Sequence, residues 1–389
     1  MTRQVRLKKR LERVLAQGHP WLFRNALAGE LPEPGRVVEV VDGRGRLLAR
    51  GLAEAGPIGL RVWTTRDEPL DAALIARRVR AAAALRRRVL PPATDAFRLL
   101  HGEGDRLPGV VCDVYGRWAV LRFDGRAAAA WRAELLAVLE PVLAGLGVSG
   151  LLQRGGRRGT SASETLLGEP PDAVIEVREH GMLLPVDLLH GQKTGLFLDH
   201  RETRRRAGGL ARGCRVLNLF GYTGGFSIAA GLGGAAAVDT VDSAAPACAL
   251  AERGWAANGL EPEAHRVHPV DVQEFLRTAE AEDRRWELIV ADPPSYAPSQ
   301  KKVPAALDAY RALHRACMER LAPGGLYLAA SCSSHVRRPA FEDTLLAAAA
   351  ALGRGLQVLE RSGAPADHPR LAAFPEGDYL KVVLARLLD

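Results

Sequence analysis

The 389-residue chain contains no uninterrupted apolar stretch that approaches a membrane span; its alanine-rich runs are short or carry arginines. No apolar segment follows the basic start, Met1 to Arg10, so no secretory signal is evident. Cysteine is sparse and scattered, with five residues at positions 112, 214, 248, 317 and 332 and no Cys-x-x-Cys pair. An odd, dispersed set speaks against a zinc site and against a disulfide framework. The chain therefore reads as cytoplasmic, with reduced thiols, no metal and no membrane association.

Excess positive charge is missing from most of the chain and concentrated in one part. Residues 1–95 hold 19 Lys and Arg against 10 Asp and Glu, while residues 96–389 hold 34 against 35. A basic module joined to a near-neutral one suggests a polyanion partner, with a solvated basic surface as the bland alternative. Within the basic part, apolar positions 7, 11, 14 and 15 have helical spacing. Short β-type runs at 36–41, 46–52 and 58–64, separated by glycine turns, suggest a small barrel. Residues 71–90 read as a helix that ends at Pro91-Pro92. Its arginines at 77, 78, 80 and 86–88 make it a connector that also touches RNA. Residues 96–185 alternate strands with one helix over Ala127 to Ala144, a small α+β unit. Glu103 and Asp105 in its Gly102–Gly109 phrase read as turn-capping residues ahead of any catalytic role.

The chain is organised around residues 214–242. An apolar run (Val216, Leu217, Leu219, Phe220) stops at Gly221-Tyr-Thr-Gly-Gly225, a small-residue helix follows, and a second apolar run ends at Asp242. Strand, glycine loop, helix, strand and acid form the opening of an α/β nucleotide-type site. The glycines allow a sharp turn and close approach to a ligand, and a carboxylate at a strand tip can accept both ribose hydroxyls. The loop is not a clean Gly-x-Gly-x-x-Gly and lacks Gly-Lys-Ser/Thr, which disfavours nicotinamide and ATP.

Three later stretches narrow the chemistry. Val267 to Asp271 is a strand with an acid at its tip that also suits a helix N-cap. Trp286 to Ala291 is a buried strand ending in Asp292-Pro293-Pro294, which sets a rigid carboxylate and carbonyls at the carboxyl edge of the sheet. Gly324 to His335 puts Cys332 just past the next strand, between Ser331 and Ser333. Carbon 5 of a pyrimidine is a poor nucleophile, and a thiolate adding to carbon 6 activates it, so one reactive cysteine at this edge suits methylation there. The other four cysteines read as small core residues or lie outside this module.

Several phrases carry a family resemblance. Asn218 to Ser227 resembles motif I of class I S-adenosylmethionine (SAM) methyltransferases, and Asp-Pro-Pro resembles motif IV of nucleic-acid methyltransferases. Gly18-His-Pro-Trp-Leu-Phe-Arg-Asn25 with the following hairpin resembles a PUA domain. With Gln192-Lys193-Thr194-Gly195 and Ser-Cys-Ser, the likeness runs nearly the whole length and is to the RlmI-type family of 23S ribosomal RNA 5-methylcytosine methyltransferases. The chain departs from the family at Ser295 and at Ala330, the latter leaving one cysteine at the site.

The resemblance implies a fold and a site. The fold is a PUA-like RNA-binding β-barrel (1–70), a helical connector (71–95), a small α+β middle domain (96–185) and a Rossmann-like α/β methyltransferase domain (186–389). SAM is the implied cofactor, held by Gln192, Lys193, Thr194, Phe197, Asn218, Phe220, Gly221, Tyr222, Thr223, Gly224, Asp242, Ser243, Asn258, Asp271, Val272, Asp292 and Pro293. Cys332 is the implied nucleophile, and Asp292 meets N3 of the cytosine. RNA, most naturally 23S rRNA, is the implied partner, with Arg24, Arg44 and Arg154 as contacts and Arg157 and Arg158 beside the last. The open barrel edge leaves room for a homodimer. Two rivals stay open: an exocyclic-amine methyltransferase built on Asp292-Pro-Pro, and a non-catalytic RNA-binding protein that retains the fold.

Overall fold

The computed structural model describes residues 3–155 and 163–388; Arg157 and Arg158 lie outside the described residues. The chain forms two compact units. One comprises Met1–Ala173, Leu188–Leu196 and Ala366–Gly377; the other comprises Val174–Asp187, Phe197–Pro365 and Asp378–Asp389.

The first unit contains two sheets. The six-stranded one runs Trp21–Phe23, Ile58–Thr64, Leu47–Ala53, Val37–Val41, Arg3–Leu7, Leu27–Ala28. Helical spacing predicts a helix from Leu7 onward; Leu7 instead closes the strand Arg3–Leu7, and the helix is the shorter Glu12–Ala16. The alternation of Val5 and Leu7 with Gln4 and Arg6 prevails because Val5 enters the barrel core, 3% exposed, beside Val40 of the neighbouring strand. The five-stranded sheet runs Ser163–Leu167, Gly150–Arg154, Trp118–Phe123, Val110–Tyr115, Ala96–His101 and packs on the helices Ala72–Val89 and Arg132–Ala144. The Asp71 side chain caps Ala72–Val89 by accepting from Leu74 N at 2.9 Å. Its arginines do not all face outward. Arg78 is buried and donates to the carbonyls of Trp63 and Arg106, and Arg86 is buried in a two-pronged pair with Asp105 at 2.6 and 2.7 Å. These two are structural and do not serve as RNA contacts.

The second unit is a seven-stranded sheet. In chain order its strands are Arg215–Leu219 (β1), Ala237–Val241 (β2), His265–His268 (β3), Trp286–Ala291 (β4), Leu321–Ser331 (β5), Leu356–Ser362 (β6) and Lys381–Leu387 (β7). Their order across the sheet is β3-β2-β1-β4-β5-β7-β6. β1 to β5 are parallel, and β7 runs antiparallel to both β5 and β6. Parallel strands connected through helices are covered on both faces, which is why β1 and β4 read as nearly unbroken apolar runs. The hairpin of Ile175–Glu179 and Met182–Val186 also belongs to this unit. No helix among the described residues is long and apolar enough to cross a membrane.

Candidate active site at the carboxyl edge of the second sheet

Because β1, β2, β3, β4 and β5 are parallel, the loops that follow them emerge at one edge. Phe220–Gly224, Asp242, Asp271, Asp292-Pro293 and Cys332 therefore gather there from five separate stretches of chain.

The loop after β1 is tightly turned. Phe220, Tyr222 and Gly224 all have positive φ, at 57°, 47° and 73°. Left-handed non-glycine residues are costly and persist where surroundings impose them. Here Gly221 N donates to Val241 O at 2.9 Å and Tyr222 N to Asp242 Oδ2 at 2.8 Å. A Cβ on Gly221 would stand 2.6 Å from Thr240 Cγ2 and 3.0 Å from Asn218 Nδ2. Beneath the loop runs a buried polar chain: Asn218 Nδ2 donates to Ser227 Oγ (2.8 Å), which shares a proton with Thr240 Oγ1 (2.6 Å), which meets His265 Nε2 (2.8 Å). Asn218 Oδ1 is buried with no hydrogen-bond partner among the described residues. Asp242 accepts from Ala244 N as well as Tyr222 N, and each oxygen retains a lone pair. Asp271 caps the helix Val272–Ala281 by accepting from Gln273 N and Glu274 N, and Val272 opens that helix. Phe197 packs edge-on against Tyr222 at 5.3 Å. Ser243 is exposed and Thr223 buried at the same edge.

The Asp-Pro-Pro loop and the Ser-Cys-Ser loop are tied together. Ser333 Oγ lies 3.2 Å from Ser295 Oγ, 3.0 Å from Tyr310 OH and 3.4 Å from Ala297 N. Tyr310 OH also meets Ser331 Oγ at 2.9 Å. Burial raises the Tyr310 hydroxyl above its ordinary range, and the nearby Cys332 and Asp292 act in the same sense. Cys332 is half-buried between the two anchored serines. Its four counterparts have thiols pushed upward by burial, Cys317 to about 12, as expected of inert cysteines.

Two groups at this edge escape a reading of the sequence. His200 Nε2 lies 3.1 Å from Asp292 Oδ2 and is 3% exposed. It sits in the turn Leu198–His200, braced by Arg204, which pairs with buried Glu179 at 2.7 and 2.5 Å and donates to Phe197 O at 3.0 Å. The adjacent Asp199 accepts from Tyr379 OH at 2.7 Å. Lys381, at the start of β7, donates from Nζ to Ser333 O and to Tyr379 O, both at 2.7 Å. The only sequence signals were Asp199-His200 just before a helix and a lysine at the head of an apolar strand, and neither pattern is specific.

One expected site residue lies away from this edge of the sheet. Asn258 ends the helix Ala245–Ala257, which starts at the carboxyl edge and returns to the amino edge. Its amide bonds Leu183 N (2.9 Å), Leu183 O (2.7 Å) and Gly254 O (2.7 Å), so it clips the hairpin to the helix and is not a cofactor ligand. Gln192, Lys193 and Thr194 belong to the first unit. Thr194 is buried there, donating to Asp113 Oδ2 at 2.6 Å and accepting from Tyr115 OH at 2.8 Å, while Lys193 has φ of 52°. Arg154 is 7% exposed and donates to Gly191 O at 2.7 Å, so it holds a loop rather than facing RNA. Arg24 is exposed but donates to Glu54 O and Gly56 O, and Arg44 is exposed. Trp21 Nε1 donates to Glu103 at 2.8 Å and its ring packs on Phe374. Glu103 also takes Arg61, and Asp105 accepts from His101 N, so both are structural.

An open sheet with a left-handed glycine loop, an acid at the tip of β2 and a capped helix after β3 defines a nucleoside-cofactor enzyme. Residues 130–386 match the S-adenosylmethionine-dependent methyltransferase family and residues 5–65 the PUA-like domain; the chain belongs to that methyltransferase family, and SAM is its cofactor. More closely, the chain is 34% identical over its whole length, and that of the relative, to the ribosomal RNA large subunit methyltransferase I of Erwinia tasmaniensis. It is 36% identical, over 99% of itself and 97% of the relative, to a ribosomal RNA large subunit methyltransferase of Deinococcus radiodurans. A solved SAM-dependent methyltransferase from Streptococcus mutans shares the fold, with a TM-score of 0.89, 24% identity and full coverage of both chains.

Proposed function

We propose that the protein methylates carbon 5 of a cytosine in large-subunit ribosomal RNA, with Cys332 as nucleophile and Asp292 at N3 of the base. The observation that carries this reading is the Ser295–Ser333–Tyr310 clamp, which holds the half-buried Cys332 loop against the Asp-Pro-Pro loop at the edge where the glycine loop lies. The names of the full-length relatives support ribosomal RNA as the substrate, and that substrate supports a cytoplasmic place of action. The residues present suit the cofactor: Asp242 for ribose, the Phe220–Gly224 backbone for close approach, Asp271 and Val272 toward adenine.

When bound, SAM supplies an electrophilic methyl group. The Cys332 thiolate adds to carbon 6 of the cytosine, and the displaced electron pair makes carbon 5 nucleophilic. Asp292, carrying a proton and steadied by His200, donates that proton to N3 as negative charge moves onto the ring, and takes it back when the carbon–sulfur bond breaks. Carbon 5 takes the methyl group, its proton passes to a base or water, and the carbon–sulfur bond breaks to regenerate the thiolate. The test is 5-fluorocytosine RNA, whose carbon–fluorine bond blocks the last steps. A covalent complex that needs both SAM and Cys332 is the expected result. Full methyl transfer by Cys332→Ala would instead indicate an exocyclic amine as acceptor.

A further inference from the structure

Lys381 is a buried lysine with no carboxylate partner in hydrogen-bond contact among the described residues. Its side chain is 2% exposed. Its backbone pairs with Ser331 in the β5–β7 register and its amine donates to the carbonyl of Ser333, so Lys381 meets the residues on either side of Cys332. A buried cation normally demands a compensating anion. The charged or titratable groups that act on Lys381 are Cys332, Arg338 and Asp378, while Asp292 and Tyr310 share the Cys332 neighbourhood. Burial lowers the amine to about 8, with Arg338 acting in the same sense and Cys332 and Asp378 opposing.

The geometry accommodates both protonation states. Two tetrahedral directions of Nζ are taken by Ser333 O and Tyr379 O. As a neutral amine, Lys381 satisfies both carbonyls with its two N–H groups and keeps a lone pair in the remaining direction. As an ammonium, it has a third N–H there. A proton can therefore enter or leave without breaking either backbone hydrogen bond.

We propose that Lys381 is the proton acceptor for Cys332. The sulfur–hydrogen bond breaks, a nitrogen–hydrogen bond forms on Nζ, and the pair rests as thiolate and ammonium. Sulfur regains its lone pair when the carbon–sulfur bond later breaks, which restores the same pair with no net proton change. This assignment builds on Cys332 as nucleophile, but its test does not require catalysis.

The test is the pH dependence of Cys332 alkylation by iodoacetamide in the full-length protein, followed by peptide mass with Cys332→Ser as background. In the wild type, the midpoint should lie below the ordinary thiol value of roughly 8.5. In Lys381→Met, the rate at pH 7 should drop at least about tenfold, the equivalent of one pKa unit. Lys381→Arg, a permanent cation, should keep the low midpoint. A wild-type midpoint at or above the ordinary value overturns the proposal even if Lys381→Met does not fold, as does an unchanged midpoint in a folded Lys381→Met protein. A SAM-dependent adduct with 5-fluorocytosine RNA alongside an unmoved midpoint would leave the nucleophile standing and remove only the role of Lys381.

Discussion

His200 Nε2 and Asp292 Oδ2 are 3.1 Å apart, and the histidine is almost wholly enclosed. In the Nε2–H tautomer the imidazole donates to Oδ2, which under the proposed mechanism leaves Oδ1 to meet the base. Replacing His200 with Ala should lower single-turnover methyl transfer by roughly tenfold to a hundredfold, within the range of a positioned acid–base group. SAM affinity measured by calorimetry should hardly change. An equal loss in SAM affinity would mean that His200 supports the pocket instead.

Gly221 has no room for a side chain. Its Cβ would meet Thr240 Cγ2 at 2.6 Å, so Gly221→Ala should destabilise the loop by about 1–3 kcal/mol, as overpacking does. SAM binding should weaken with it. Adding Thr240→Ser, which removes Cγ2 and keeps the hydroxyl chain, should recover part of the affinity. No recovery in the double variant would place the strain elsewhere.

Arg204 and Glu179 form an ion pair with both members buried, at 3% and 1% side-chain exposure. Arg204→Met leaves Glu179 enclosed without its cation and should cost about 3–5 kcal/mol of unfolding free energy. Urea titration reads this directly. Glu179→Gln in the same background should return a portion of the loss.

Burial lowers His314 to about 3 from its ordinary 6.5. Below pH 6.5 the unfolded chain binds a proton there that the folded chain refuses, so stability falls as pH drops from 6.5 toward 3. His314→Gln keeps a hydrogen-bonding group for Tyr327 and cannot titrate. The decline in urea midpoint between pH 7 and pH 5 should be smaller in this variant, by about 2 kcal/mol when expressed as free energy.

The glycine loop, Asp242, Asp292-Pro-Pro and Cys332 were readable because each directly follows an apolar strand, and parallel strands deliver such positions to a common edge. His200 and Lys381 were not, because their roles depend on which strand lies beside which. Lys381 reaches Ser333 only because β7 inserts antiparallel between β5 and β6. Arg154 and Arg86 mislead for the opposite reason: arginine usually marks a surface, and here a carbonyl and a carboxylate draw both inward. Asn258 follows a helix in the expected sequence order, but helix polarity carries it to the far edge.

Sharing one serine between two loops has a mechanical result. The jaw that bears the acid and the jaw that bears the sulfur are coupled, since separating them breaks the contact between Ser295 and Ser333. On the proposed reaction, the cytosine arrives already swung out from its neighbours, and unstacking it falls to the RNA's own fold or to surfaces that grip the strand on either side.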